Sequence, residues 1–382
     1  MAATLADVVA SPLRPVAVHE RRRLWLDALE SSGDAGRILT RSEFELLAQH
    51  ARGTAEDEST ISKDLTRSRI GGSSADELST ADQAVLQQIL RVYAVLDPGC
   101  GYCQGMNFVA TLCLHVLPGG VGYDAFCLFT ALLLPEGLGL RTLYTDGFHT
   151  AMCVVHAVEA VASERDQELD AHLQQCGTGL SGSILPWVIT LFSAALPLGP
   201  TLCCWDRLLL GLASGPTAPR ARTVLAVLCI AVLDCSRDAL LTSNILETPT
   251  FHRLVGEAAG PLQFAALAGR MLRDPTDLGE ILRHTAEFDA AEGSSGDVDT
   301  DAVARRQGDV QVLVRRARAA EALEARRAAE AQRYGAAALA QLEAVGALPL
   351  KYDVPRFLLS FGATAQTKAC GKQKKEHPDC LC

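Results

Sequence analysis

The amino-acid sequence predicts an all-α protein. Apolar residues recur three or four positions apart in one segment after another, as on one face of a helix. Two examples are Val85, Leu86, Ile89, Leu90 and Tyr93, and further along Trp205, Leu208, Leu209 and Leu212. No segment alternates with the period of two that marks a half-buried strand. Turn signals such as Asp97-Pro98-Gly99 separate the apolar segments, so we expect a succession of helices.

The first predicted helix covers residues 16–31, which have one apolar face, and Gly33 ends it. An acidic stretch then leads to Ser59 and Thr60, either of which can cap a helix that carries Ile61-x-x-Asp64-x-x-Arg67. Acidic side chains suit the positive end of a helix dipole. The motif is therefore expected on the last turns of a helix.

Capping signals continue along the chain. Thr80 and Gln83 have the spacing of a capping box, and they open a helix that Asp97 closes. Asn107 can cap the next helix, which runs to Leu117. Similar punctuation predicts further helices near residues 124–134, 148–175, 183–196, 201–213 and 219–234.

Composition and charge exclude several classes of function. The chain has 382 residues, enough for a large buried core. Its formal net charge of −10 argues against nucleic acid as the main partner, because phosphate binding needs clustered Lys and Arg. The 13 cysteines are scattered through apolar segments without a signal peptide at residues 1–10, so we expect reduced thiols in a cytoplasmic protein. The longest apolar run, residues 224–233, is too short to span a bilayer.

Arg67 stands at the expected end of its helix, four residues before Gly71. A planar, permanently charged guanidinium at such a place suits phosphate oxygens. Taken alone, however, most surface arginines simply pair with a carboxylate.

Gln104 lies between Gly101 and Gly105, which permit a tight connection between two helices. A carboxamide has no useful pKa, but it donates and accepts hydrogen bonds, so it can orient a water molecule. Taken alone, a glutamine in such a turn is usually a turn residue.

Together the two motifs resemble those of the TBC domain, the GTPase-activating module for Rab-type small GTPases. Its signatures are IxxDxxR and YxQG, which match Ile61-x-x-Asp64-x-x-Arg67 and Tyr102-Cys103-Gln104-Gly105 in order. Further similar segments are Arg22 or Arg23 before Trp25, Asp124-Ala125-Phe126, Leu169-x-x-His172-Leu173, Pro186-Trp187 with Leu191-Phe192, Leu196-Pro197, and Trp205-Asp206-Arg207. In this family Thr and a nearby Pro usually follow the arginine, whereas here Ser68, Arg69 and Ile70 follow.

The resemblance implies a dual-finger mechanism that regulates vesicle trafficking. Arg67 would neutralise charge on the γ-phosphate of a partner Rab, and Gln104 would position the attacking water. Ile61, Asp64, Tyr102, Gly105 and Asn107 would support these two residues. The chain would complete its partner's active site rather than act as an enzyme alone. GTP and Mg²⁺ would belong to the partner, so no cofactor or metal is expected on this chain.

The resemblance and the composition together predict five regions. Residues 1–15 form an N-terminal extension, 16–285 the TBC domain, 286–300 a linker, 301–345 a charged Ala- and Arg-rich helix, and 346–382 a disordered tail. Recruitment to endomembranes would act through the partner or the tail, whose Cys380 and Cys382 resemble the prenylated ending of Rab proteins.

Two other functions stay open from the sequence. A non-catalytic scaffold with the same fold would bind a Rab without accelerating hydrolysis. Cys100-Gly101-Tyr102-Cys103 has the CxxC spacing of a redox dithiol, although no strand precedes it as in thioredoxin-like folds.

Overall fold

A computed structural model of the chain confirms the all-α prediction. It describes residues 4–10, 16–31, 38–69, 78–119, 122–135, 137–177, 179–214, 221–243, 248–258, 260–292 and 300–344. No β-strand forms within these ranges. Gly33, Gly71, the tail and its two cysteines lie outside the described residues.

Sixteen α-helices follow one another in the described part of the chain. They are α1 Leu5–Ala10, α2 Val18–Ser31, α3 Arg41–His50, α4 Ala55–Leu65, α5 Thr80–Leu96, α6 Met106–Val116, α7 Tyr123–Leu133, α8 His149–Arg165, α9 Gln167–Gln175, α10 Leu180–Ile189, α11 Leu198–Ser214, α12 Ala221–Leu241, α13 Thr248–Ala258, α14 Pro261–Met271, α15 Pro275–Glu292 and α16 Thr300–Ala344. The chain forms two compact units, residues 1–319 and 320–382, and α16 belongs partly to each. In the second unit, residues 320–344 are helical, and the side chains of 321–329 are exposed.

The start of α4 differs from the sequence expectation. The cap is Thr54 rather than Ser59 or Thr60, and Asp57 completes a capping box. Thr54 Oγ1 accepts from the Asp57 backbone N–H at 3.1 Å, and Asp57 Oδ2 accepts from the Thr54 backbone N–H at 3.2 Å. These two bonds satisfy backbone N–H groups that have no helical partner. Because the helix begins after Thr54, the acidic residues Glu56, Asp57 and Glu58 lie inside its first turn.

Other helix limits also differ from those predicted from the sequence. Ser79, not Thr80, caps α5. Asp166 divides the predicted helix 148–175 by capping α9, where its side chain accepts from the Leu169 N–H. Helix α10 ends at Ile189 rather than near 196, because the next residues include Leu191 and Phe192 with φ of 47° and 66°. Helix α15 continues to Glu292, so the segment predicted as a linker from residue 286 is helical at its start.

Helices α2 and α11 are joined by a buried polar and aromatic contact. The rings of Trp25 and Trp205 stack with centroids 5.6 Å apart. Asp206 accepts from Trp25 Nε1 at 2.8 Å and from Arg21 Nε at 2.9 Å. The arginine that makes this contact is Arg21, whereas Arg22 and Arg23 are exposed.

The same scaffold reaches the turn after α10. Trp205 Nε1 donates to the Leu191 carbonyl oxygen at 2.9 Å, and Tyr144 Oη donates to the Ile189 carbonyl oxygen at 2.6 Å. These bonds satisfy carbonyl groups that the end of α10 leaves without helical partners. The backbone at Ile189 is consequently a fixed surface, and the Gln104 loop packs against it at Gly105.

Candidate functional site

Arg67 lies just beyond the last residue of α4, where the backbone leaves the helix. Its N–H donates to the Asp64 carbonyl oxygen at 3.2 Å. The guanidinium contacts one carboxylate oxygen of Asp64, through Nε at 2.9 Å and through Nη2. The Arg67 side chain is 48% exposed, so its remaining N–H groups face solvent. One edge of the guanidinium is therefore fixed by Asp64, and the other edge is exposed to solvent.

Asp64 is buried, and its second oxygen bonds to the other motif. Tyr102 Oη donates to Asp64 Oδ2 at 2.6 Å. Burial, together with this hydrogen bond, holds the pKa of Tyr102 well above its ordinary value, so the hydroxyl stays protonated and keeps donating. One carboxylate thus receives a donor from each motif, and Arg67 and Tyr102 are fixed relative to each other.

The Gln104 loop has an unusual backbone at its two glycines. Gly101 has φ of 64° and Gly105 has φ of 109°, values that side chains with a Cβ rarely adopt. A Cβ on Gly105 would also come within 3.0 Å of the Ile189 carbonyl oxygen. Gln104 itself is exposed, between residues that are tightly held. The loop presents the carboxamide outward.

Asn107 does not cap α6 as expected. Gly105 occupies the cap position, and Asn107 is fully buried in the first turn. Its Oδ1 accepts from the Gly105 N–H at 3.2 Å, and its Nδ2 donates to Ser68 Oγ at 2.9 Å. Ser68 Oγ also donates to the Asp64 carbonyl oxygen at 2.7 Å. Asn107 therefore forms a second link, between the residue after Arg67 and the residue after Gln104.

Asp57 is a supporting residue that the sequence reasoning missed. Besides capping α4, its Oδ1 accepts from the Tyr102 N–H at 2.9 Å. A Cβ on Gly101 would lie 3.1 Å from this oxygen, so the glycine gives the carboxylate room to approach the loop. Thr54-x-x-Asp57 has capping-box spacing, which could have indicated the helix start but not the contact with Tyr102.

The remaining predicted residue, Ile61, is fully buried in the core. It anchors α4 one turn before Asp64. The structure thus brings Ile61, Asp64, Arg67, Tyr102, Gly105 and Asn107 into one connected region with the Gln104 loop. The spacing of both motifs is explained by a buried polar network with two exposed ends.

The cysteines near the loop do not form a redox pair in this structure. Cys100 and Cys103 are both free thiols. Burial raises the pKa of Cys100 to about 11, and burial also raises that of Cys103. Thiols of this kind have little thiolate at neutral pH, unlike reactive CxxC cysteines. Within the described ranges no three His, Cys, Asp or Glu side chains are arranged to hold a metal ion.

Comparisons with known sequences agree with the resemblance. Residues 21–241 match the Rab-GTPase-TBC domain family. TBC1 domain family member 1 from Homo sapiens is 27% identical over 169 residues, or 44% of this chain and 13% of that protein. Rab GTPase-activating protein tbc-11 from Caenorhabditis elegans is 28% identical over 197 residues, or 52% of this chain and 20% of that protein. The matches thus cover at most about a fifth of these relatives' own length.

Solved structures show the same fold. The Chlamydomonas flagellar RabGAP TBC domain has a TM-score of 0.51 at 19% identity, covering 70% of this chain and 84% of that one. The Ypt/Rab-GAP domain of Gyp1p has a TM-score of 0.50 at 16% identity, covering 74% and 93%. In the part of the chain that the structure describes, no helix is both long and apolar enough to span a membrane.

Proposed function

Because the chain belongs to the Rab-GTPase-TBC domain family, we propose that it is a GTPase-activating protein for Rab-type small GTPases. It supplies Arg67 and Gln104 in trans, and it regulates vesicle trafficking from the cytoplasm. The observation that carries this proposal is the network in which two exposed polar ends project from segments joined by Asp64–Tyr102 and Ser68–Asn107.

Arg67 acts through charge and geometry. A guanidinium has five N–H donors, and two of them are directed at Asp64, so the others are free to contact phosphate oxygens. The contact with Asp64 orients the planar group before any partner arrives, which lowers the entropy lost when a complex forms. Charge developing on the transferred phosphoryl group is then stabilised by a preorganised cation.

Gln104 acts by positioning. Its amide can accept from a water molecule and donate to a phosphate oxygen, while its neighbours fix the backbone. GTP and Mg²⁺ are carried by the partner, so the chain needs no cofactor of its own. On this proposal it is an activator that completes another protein's active site, rather than an enzyme that acts alone. Any association with endomembranes follows from the partner or from the tail.

The test is single-turnover GTP hydrolysis by a panel of purified Rab proteins, with and without the full chain. We expect at least one Rab to be accelerated, and Arg67→Ala to remove most of that acceleration, since arginine fingers contribute about 10³–10⁵-fold in comparable systems. Arg67→Lys should stay impaired, because a lysine keeps the charge but loses the planar fork. Gln104→Ala should also be impaired.

The matched control is Arg253→Ala, which removes an exposed arginine from α13 that pairs with Glu257, one turn further along the same helix. This variant should keep full activity. Acceleration of no Rab by the intact chain would overturn the proposal. Tight binding of a Rab without faster hydrolysis would instead favour the non-catalytic scaffold.

A further inference from the structure

A second candidate site lies in an apolar cavity between α1, α11, α12 and α14. Its volume is about 400 Å³, within the range of pockets that hold small ligands. Most of the wall is aliphatic, formed by Val9, Leu138, Leu208, Leu210, Val224 and Leu272. Two arginines, Arg207 and Arg273, also line the cavity. None of these residues belongs to the network around Arg67 and Gln104.

Arg207 is only 5% exposed, and no carboxylate pairs with it among the described residues. Nη1 donates to the Cys203 carbonyl oxygen at 3.0 Å, and Nη2 contacts the Ala265 carbonyl oxygen. Nε has no hydrogen-bond partner. The adjacent carboxylate, Asp206, is already engaged by Arg21 and a tryptophan. Buried charges in proteins are normally paired, whereas this guanidinium is attracted by Asp206 but hydrogen-bonds to no carboxylate among the described residues.

Arg273 brings a second positive charge to the same place. A Cβ on Gly269 would lie 3.4 Å from Arg207 Nη2 and 3.7 Å from Arg273 Nη1, so both groups border the space that this glycine leaves open. The two cations repel each other, and no ion pair of Arg273 with an acid is found in the described ranges. Burial lowers the pKa of Arg207, and Arg273 adds to this lowering, while Cys203, Cys204 and Asp206 oppose it. An anion between them would offset both costs.

We infer that this cavity binds a single-chain amphiphile with an anionic head group, a carboxylate or a phosphate. The alkyl chain fills the aliphatic part, where burial of each methylene is favourable. The head group lies beside Gly269 and accepts from the second N–H of Arg207 Nη2 and from Arg273 Nη1, the two atoms that border this space. Guanidinium donors suit either head group, and Arg207 contributes more than Arg273 because it is buried and shielded from water.

The test is isothermal titration calorimetry of the full chain with dodecanoate, dodecyl phosphate and dodecanol, each below the concentration at which it aggregates. We expect saturable binding of at least one anion, and binding of the alcohol at least about tenfold weaker, since hydrogen bonds to charged groups are worth more than neutral ones. The relative affinities of the two anions identify the preferred head group.

Three variants localise the site. Arg207→Met keeps an unbranched apolar stem and removes the buried charge, and it should weaken anion binding by about 10- to 100-fold. Arg273→Gln changes an exposed residue, so the chain should stay folded while binding weakens by about two- to fivefold. Arg253→Gln, on α13, should bind like the unaltered chain. No saturable binding, equal binding of alcohol and anion, or an equal loss with Arg253→Gln would each overturn the inference.

Discussion

Tyr102→Phe removes a single hydroxyl from the link between the two motifs and leaves the ring in place. That hydroxyl donates to buried Asp64 at 2.6 Å, and a hydrogen bond to an ionised group is worth about 1.5–3 kcal/mol. We therefore expect the free energy of unfolding to fall by about 1.5–3 kcal/mol. Urea denaturation of the full chain, followed by circular dichroism, measures this loss.

A double-mutant cycle separates the link from other effects of the substitution. Asp64→Asn keeps the shape of the side chain but removes the charge that strengthens the bonds to Tyr102 and Arg67. Combined with Tyr102→Phe, it should cost less than the sum of the single losses by about 1–2 kcal/mol. Tyr144→Phe is the matched control, since its hydroxyl bonds to a neutral carbonyl oxygen and shares no partner with Asp64.

The reasoning is refuted if Tyr102→Phe and Asp64→Asn are additive within about 0.5 kcal/mol, as distant sites are. The same variants test the proposed function. If Asp64 orients Arg67, then Tyr102→Phe should slow activated hydrolysis by about 10- to 100-fold, because small displacements of a catalytic group have large kinetic effects. An unchanged rate would mean that the bond stabilises the fold without positioning the arginine.

The remaining predictions concern the surrounding scaffold. Gly105→Ala should lower the free energy of unfolding by about 1–3 kcal/mol, because φ is 109° and the new Cβ would press on the Ile189 carbonyl oxygen; urea denaturation measures this. Asp206→Ala should lower the free energy of unfolding by about 3–5 kcal/mol, because it leaves Arg21 buried without its partner. Thermal denaturation should show a lower midpoint. Cys100 should react with iodoacetamide about 100-fold more slowly at pH 7.5 than an ordinary thiol, because its pKa is about 11 rather than 9.0; mass spectrometry follows the labelling.

Each of these has a clear contrary result. A Gly105→Ala variant as stable as the unaltered chain would mean that the loop relaxes without cost. For the buried ion pair, Glu257→Ala is the control, since it removes an exposed pair worth at most about 1 kcal/mol. If Asp206→Ala and Glu257→Ala lowered stability equally, burial of the first pair would have no effect. Rapid labelling of Cys100, or a disulfide with Cys103 under mild oxidation, would restore the redox hypothesis.

The sequence was informative where the signals are local. Helical periodicity predicted the all-α fold, and α5 was predicted with its limits nearly correct because a capping residue and a Pro-Gly turn enclose a long periodic segment. The family resemblance, confirmed by the match over residues 21–241, followed from ordered motifs. The start of α4 was missed because Thr54, Ser59 and Thr60 all have capping side chains, and only the completed box with Asp57 distinguishes them.

Asn107 shows why local signals are insufficient at the site. Its type and position suit a cap, but Gly105 already supplies the left-handed backbone at that point, which frees the amide to bond elsewhere. The partner it finds, Ser68, is 39 residues away in the sequence. Arg207 is a similar case, since it hydrogen-bonds to no carboxylate because Arg21 and Trp25 already occupy the neighbouring Asp206.

The sequence by itself determined the all-α class and most of the helical segments up to α12, and it predicted the arginine and the glutamine as a pair. Only the tertiary structure decided that Asp64 meets Tyr102, 38 residues further on, and that two arginines border one apolar cavity. The physical reason is that periodicity and capping depend on neighbours within a turn or two, whereas the pairing of buried polar groups depends on which helices pack together.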